Sequence, residues 1–432
     1  MIAHYQRYIL IFFCLVMLIG SAGCFDESAG QITMPEPVAQ TDETVREQSN
    51  IDVYWDATVS MRGYTTLAAG NVYRTLPDLL GDIGGAMGEI KFYSFGEKVH
   101  ELDGREHRKF STPEVYTEKI TAVHNVIDTA NADHLSIIIT DLFESDSDWS
   151  NVTKKLREKY FSKHKAVAII GIKNSFMGDI FDVGLNAATY YYNSYDYDYK
   201  FRPFYLFVMG SENEVMEFME RWKDKQTAPN EMNYVLFSET LTSPAVNFSN
   251  LSLGEMQNFF IDENLDINDK RMKEFGIDTF DEPAVLNVSF SYQPVFGACP
   301  LDINALNTKV QVFTLEEENQ WQLNEAENDA SLELKEDEKQ PSLYHVKLTF
   351  TPSRTLKPDK INFVNASLVP SAKGYKLPDW INRWNMANVD VAPEQFDGSK
   401  TINLIHVMES LKDSVLISAR PALINMNLVI KR

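Results

Sequence analysis

The sequence predicts two folded units: an α/β unit on a doubly wound, mostly parallel sheet over residues 51–228, then an all-β, antiparallel, sandwich-like unit over residues 229–432. Three observations predict this. From Ile51 to Lys225, short apolar runs rich in β-branched and aromatic residues alternate with stretches of helical spacing, the pattern of βαβ units. Beyond about Asn230 strand-like runs dominate, the pattern of an antiparallel sandwich. The chain has 432 residues and 44% hydrophobic composition, enough for about two or three cores.

The elements follow in order. Residues 1–23 read as a signal peptide: Arg7 is its positive segment, Tyr8 to Gly20 is apolar but shorter than the roughly 20 residues of a spanning helix, and Ser21-Ala22-Gly23 are small. Residues 24–50 read as a tether, because Phe25 to Asn50 has few large apolar side chains. In the first unit Ile51 to Trp55, Glu89 to Phe95, Leu135 to Thr140, Ala166 to Ile172 and Phe204 to Gly210 read as strands. Tyr64 to Leu80, Pro113 to Ala130, Trp149 to Tyr160 and Ser211 to Lys225 read as helices. In the second unit the strand runs are Ala284 to Ser291, Lys309 to Leu315, Tyr344 to Pro352, Asn362 to Val369, Val415 to Ala419 and Asn425 to Lys431. A helical connector is expected near 254–275, and the acidic stretch Glu316 to Gln340 reads as a polar hairpin or loop.

The formal charge of -22 repels phosphates and offers no polybasic patch, which argues against nucleic acid as a partner. The run Ser21-Ala22-Gly23-Cys24 resembles the bacterial lipobox. That resemblance implies that Cys24 is fatty-acylated and that the protein works outside the cytoplasm, lipid-anchored to a bacterial cell membrane or outer membrane. With Cys14 in the signal peptide and Cys24 carrying lipid, Cys299 has no partner for an internal disulfide.

In an open α/β sheet, ligands sit beyond the carboxyl ends of the strands. Asp56-Ala57-Thr58-Val59-Ser60 follows the first run, and Asp141 follows Leu135 to Thr140, counted as the fourth strand. If those strands are neighbours, two carboxylates and two hydroxyls meet at one edge, a donor set suited to Mg²⁺ or Ca²⁺. The plainer alternative makes Asp56 a turn residue and Thr58, Ser60 and Asp141 helix caps. The strand context favours the cation.

The region from Ile51 to Lys225 resembles a von Willebrand factor A domain with its metal-ion-dependent adhesion site, which carries Asp-x-Ser-x-Ser after the first strand and Asp after the fourth. The resemblance implies Asp56, Thr58 and Ser60 in the first loop and Asp141 in the third. Thr112 and Thr117 both qualify as the second-loop threonine, Thr112 lying nearer the loop. Thr58 stands where Ser is usual, and Leu142 where Gly is usual. The resemblance also implies an open coordination position, filled by an Asp or Glu of a partner protein.

The sequence has no GxSxG, HExxH or phosphate-cradling glycine loop. His100 and His134 read as surface or structural residues. Glu144, Asp146 and Asp148 read as a solvated acidic loop. The stretch Tyr190 to Phe201, with Tyr191, Tyr195 and Tyr197, reads equally as a partner-binding surface and as a hairpin with alternate tyrosines packed inward. Trp380 and Trp384 share a helix face and read as core. The function expected is non-catalytic, Mg²⁺- or Ca²⁺-assisted binding of a protein on the cell envelope or cell surface. The alternatives are a metal-independent scaffold or assembly subunit, and a metal-dependent hydrolase or phosphatase.

Overall fold

The computed structural model describes residues 49–66, 71–142, 149–198, 200–225, 231–239, 246–262, 264, 269–292, 305–316, 320–324, 329–371, 376–418 and 422–431. The expected signal peptide, Cys24 with nearly all of the tether, Cys299, and Glu144, Asp146 and Asp148 lie outside the described residues. No described helix is long and apolar enough to cross a membrane.

The first unit contains β1 (Ser49–Asp56), α1 (Val72–Met87), β2 (Gly88–Phe95), β3 (Val99–Glu101), α2 (Val123–Thr129), β4 (Leu135–Thr140), α3 (Trp149–Lys159), β5 (Ala166–Asn174), β6 (Met177–Val183), β7 (Ala188–Asn193), β8 (Arg202–Gly210), α4 (Glu212–Lys225) and β9 (Met232–Phe237). Seven strands form one sheet in the order β3-β2-β1-β4-β8-β5-β9, and the pairing of β9 with β5 carries the first unit past its expected end at residue 228 to Phe237. The central strands β4 and β8 are buried along their whole length, as a sheet covered on both faces requires. Alternate side chains serve the two layers. Val53, Trp55, Ile137 and Ile139 face α1 and α4, whereas Tyr54 and Ile138 face α2 and α3.

The sheet is mixed, which corrects the expectation of a mostly parallel one. Only β1–β2 and β1–β4 pair in parallel; β8 runs antiparallel to both β4 and β5. The cause is the connection between β5 and β8, which is the β6–β7 hairpin and not a crossover helix. It returns the chain to the sheet at the end it left, so β8 runs back between β4 and β5.

The described residues of the second unit carry two large sheets and a short parallel pair, β19 (Asn385–Met386) with β20 (Thr401–Ile402). One is four-stranded and antiparallel, in the order β10 (Ser252–Gln257), β13 (Ala284–Ser291), β17 (Leu343–Phe350), β16 (Ser331–Glu336). The other is six-stranded, in the order β11 (Phe259–Ile261), β12 (Met272–Ile277), β21 (Ile424–Ile430), β18 (Asn362–Pro370), β14 (Leu306–Leu315), β15 (Trp321–Leu323), with β12–β21 parallel. Residues such as Leu286, Val346, Leu348, Val364 and Met426 from both sheets share a core. The clean in-out alternation of β13 reflects one buried face. Of the acidic stretch Glu316 to Gln340, the described part carries β15 and β16 as strands.

Three expectations fail here. The connector near 254–275 is not helical: β10, β11 and β12 occupy its described residues, and Gly276 in β12 leaves room for the Phe260 ring on β11. The described part of the run Val415 to Ala419 is not a strand but the end of α6 (Leu404–Ser418), whose buried Leu404, Val407, Met408, Leu411 and Val415 recur at helical spacing from a start well upstream. Nor is the second unit all-β. Both α5 (Asp379–Trp384) and α6 lie in it, and α6 packs on α3 of the first unit, with Val407, Met408, Val152 and Leu156 in one shared core. Trp380 and Trp384 are buried as expected, and their indole N–H groups donate to the Tyr234 carbonyl and the Glu231 carboxylate.

Candidate functional site

Asp56 is the last residue of β1, and the chain then turns into a short 3-10 helix, Val59–Tyr64. The Asp56 Oδ1 atom accepts from the Thr58 amide at 3.0 Å and the Thr58 hydroxyl at 2.6 Å, the local turn that aspartate favours. Its Oδ2 accepts from the Thr140 hydroxyl at 3.0 Å, which ties the ends of β1 and β4 together. Thr58 Oγ1 and Ser60 Oγ lie 3.1 Å apart, and Ser60 Oγ reaches Asp141 Oδ1 at 3.5 Å. Asp56, Thr58, Ser60 and Asp141, far apart in sequence, thus meet in one cluster. All four are buried.

The structure gives Thr112 a partner outside this cluster. Thr112 sits at the end of the 3-10 turn Glu106–Ser111, where its hydroxyl donates to the Lys109 carbonyl, and Thr117 lines a cavity of about 310 Å³ beside Ala57, Phe95, His100 and Phe110. The hydroxyl that arrives is that of Thr121, which donates to Thr58 Oγ1 at 3.3 Å and is itself buried. Pairing of Thr58 with Glu118 brings this segment alongside the first loop, so Thr121 reaches Thr58 from just before α2. Leu142 adopts φ +65°, a left-handed conformation that glycine takes without cost, while its side chain packs into the core.

Electrostatics set the character of the cluster. Burial, then the nearby Asp141 charge, pushes the Asp56 carboxyl up to about 7, while the hydrogen bonds from Thr58 and Thr140 oppose the rise. The cation at hand is Arg202. Its Nη2 lies 3.8 Å from Asp141 Oδ2, its Nη1 donates to the carbonyls of Gly398 and Lys400 at 3.1 Å each, and it lies over the Phe176 ring. Residues 385–403 therefore form a strap from the second unit across the first. Tyr205 and Thr401 extend it with a 2.8 Å hydroxyl contact.

Comparison with family models, with curated proteins and with solved structures finds no match to this chain. The site therefore has to be read from its own geometry. Among the described residues no three His, Cys, Asp or Glu side chains gather in a metal-holding group. The cluster supplies two carboxylates, and its other oxygens are hydroxyls. That set suits a hard divalent cation, which bonds oxygen and keeps several waters.

The expected tyrosine surface divides. Tyr190 stacks on Phe396 of the strap with ring centroids 4.6 Å apart, and Tyr192 is buried. Tyr191 is 61% exposed and Tyr197 47% exposed, while Tyr195 is half-buried against Phe201. Alternate tyrosines do pack inward, onto the strap. The hairpin rises from the same rim as the acidic cluster, since Thr66 donates to the Met177 carbonyl and Gly63 lies against Phe176.

Proposed function

We propose that the protein is a non-catalytic binding protein of the bacterial envelope, lipid-tethered through Cys24, whose A-domain-like unit recognises a protein partner through a divalent cation at the rim. The observation that carries this reading is the meeting of Asp56, Thr58, Ser60, Thr121 and Asp141 at the carboxyl ends of β1 and β4. These five residues would hold the ion, which supplies a positive centre for an acidic side chain. Charge counting supports the mode. Two carboxylates against the Arg202 guanidinium leave one negative charge; a divalent cation turns this into one positive charge, which a partner's Asp or Glu neutralises.

The same geometry favours a second reading, a metal-independent scaffold. With Asp56 protonated, the Asp141–Arg202 pair is neutral by itself, and Arg202 joins the rim to the strap without help. Envelope proteins retained on the immobilised chain separate the two. The first reading expects retention in Mg²⁺ that is lost in chelator and in Asp56→Asn. Retention that survives both transfers the function to the scaffold.

A further inference from the structure

We infer that the outer face of the β6–β7 hairpin and the strap beside it form one preformed docking surface for a protein segment carrying an apolar residue flanked by lysine or arginine. This narrows the partner of the proposed binding function, and it stands on observations separate from the cation cluster. The hairpin tip presents Leu185, 88% exposed, and the strap presents Val389, 50% exposed. These two residues, 204 apart in sequence, are neighbours because the residues flanking one bond to the residues flanking the other. The Gly184 amide donates to Asn388 Oδ1 at 2.7 Å, and the Asn186 amide donates to Asp390 Oδ1 at 3.1 Å. Gly184 takes φ +74° at this tip, a conformation suited to glycine. Tyr191 stands on the outward face of the same hairpin, opposite Asp179.

Single exposed apolar residues are ordinary, but here two distant segments are clamped together and still leave theirs in water. The clamp has further contacts: the Tyr190 hydroxyl donates to the Val391 carbonyl at 2.6 Å, and its ring stacks on Phe396. A surface already ordered binds without the entropic cost of ordering it.

Charge selects the occupant. Residues 174–198 and 385–399 contain no lysine or arginine, but do contain Asp179, Asp182, Asp196, Asp198 and Asp390, besides Asp397, which pairs with Lys400 of the strap. Such a surface repels acidic proteins and anionic lipid, and it attracts a basic rim around an apolar anchor. Leu185 and Val389 offer the apolar contact, with Tyr191 further along the hairpin.

The test uses the full chain in chelator, so that the cation site plays no part, with a fluorescent peptide of alternating lysine and leucine and a control in which serine replaces leucine. The peptide should protect residues 184–191 and 387–391 from hydrogen exchange. Leu185→Ser/Val389→Ser, which alters only exposed side chains, should weaken its binding about tenfold and leave the control peptide's binding unchanged. Protection elsewhere, or equal affinity for wild type and variant, overturns the surface. So does capture of wild type but not the variant by phosphatidylcholine vesicles, which would assign the face to a membrane. Divalent-cation binding measured in parallel fails only if the cluster reading fails, so the two outcomes are distinguishable.

Discussion

The Arg202 guanidinium faces the Asp141 carboxylate across 3.8 Å, with the two side chains only 5% and 3% exposed, and the same guanidinium grips the carbonyls of Gly398 and Lys400. One side chain thus joins the acidic rim of the α/β unit to the strap from the second unit. The rim and the strap are physically linked through it.

Removing that cation takes the guanidinium from a buried carboxylate and its donor from two carbonyls. Arg202→Met is expected to cost about 3–5 kcal/mol of stability, read from the urea midpoint. A loss below about 1 kcal/mol contradicts the bridging role.

Asp56 gives the chain a pH signature when metal is chelated. Its carboxyl moves from the ordinary 3.8 up to about 7 in the folded state, so the folded chain holds that proton more tightly than the unfolded one. The stability this contributes is fully present below 3.8 and is lost as pH rises towards about 7, roughly 4 kcal/mol at 1.36 kcal/mol per unit. Denaturant titrations across this range should show wild type losing ground relative to Asp56→Asn as pH rises. Parallel curves for the two would show that Asp56 does not carry a raised value.

Thr121 and Thr112 make opposite predictions. Thr121→Val removes a hydroxyl from the cluster and should weaken Mg²⁺ binding about 10- to 100-fold, whereas Thr112→Val, in a turn elsewhere, should leave it unchanged. Equal effects in calorimetry would remove Thr121 from the site.

The packing of α6 on α3 predicts that the two units share one cooperative transition. Met408→Ala should cost about 2–5 kcal/mol and lower the midpoints reported by probes in both units together. A shift confined to the second unit would show that the units unfold separately.

The strands of the α/β unit were legible because continuous buried runs such as Leu135–Thr140 leave little alternative. Asp56, Thr58, Ser60 and Asp141 were legible for the same reason, each following a run whose carboxyl end faces the rim. Arg202 was not, because a parallel β8 would place its first residue at the far end of the sheet; only the hairpin connection, invisible to strand periodicity, brings it to the rim. Thr121 was hidden because the helix expected over Pro113 to Ala130 forms only over Val123–Thr129, leaving 116–122 as extended chain against the first loop. The residues 415–418 misled because the last turn of an amphipathic helix, cut off from its earlier turns, looks like a short apolar strand.

The most direct measurement is calorimetric titration of Mg²⁺ and of Ca²⁺ into the full chain near neutral pH, repeated in buffers of different ionisation enthalpy. A cation held by Asp56 and Asp141 predicts saturable one-to-one binding that releases a proton, vanishes in Asp56→Asn and Asp141→Asn, and tightens in Arg202→Met. Heats of dilution alone, or binding that Asp56→Asn leaves intact, would contradict a cation site at the rim.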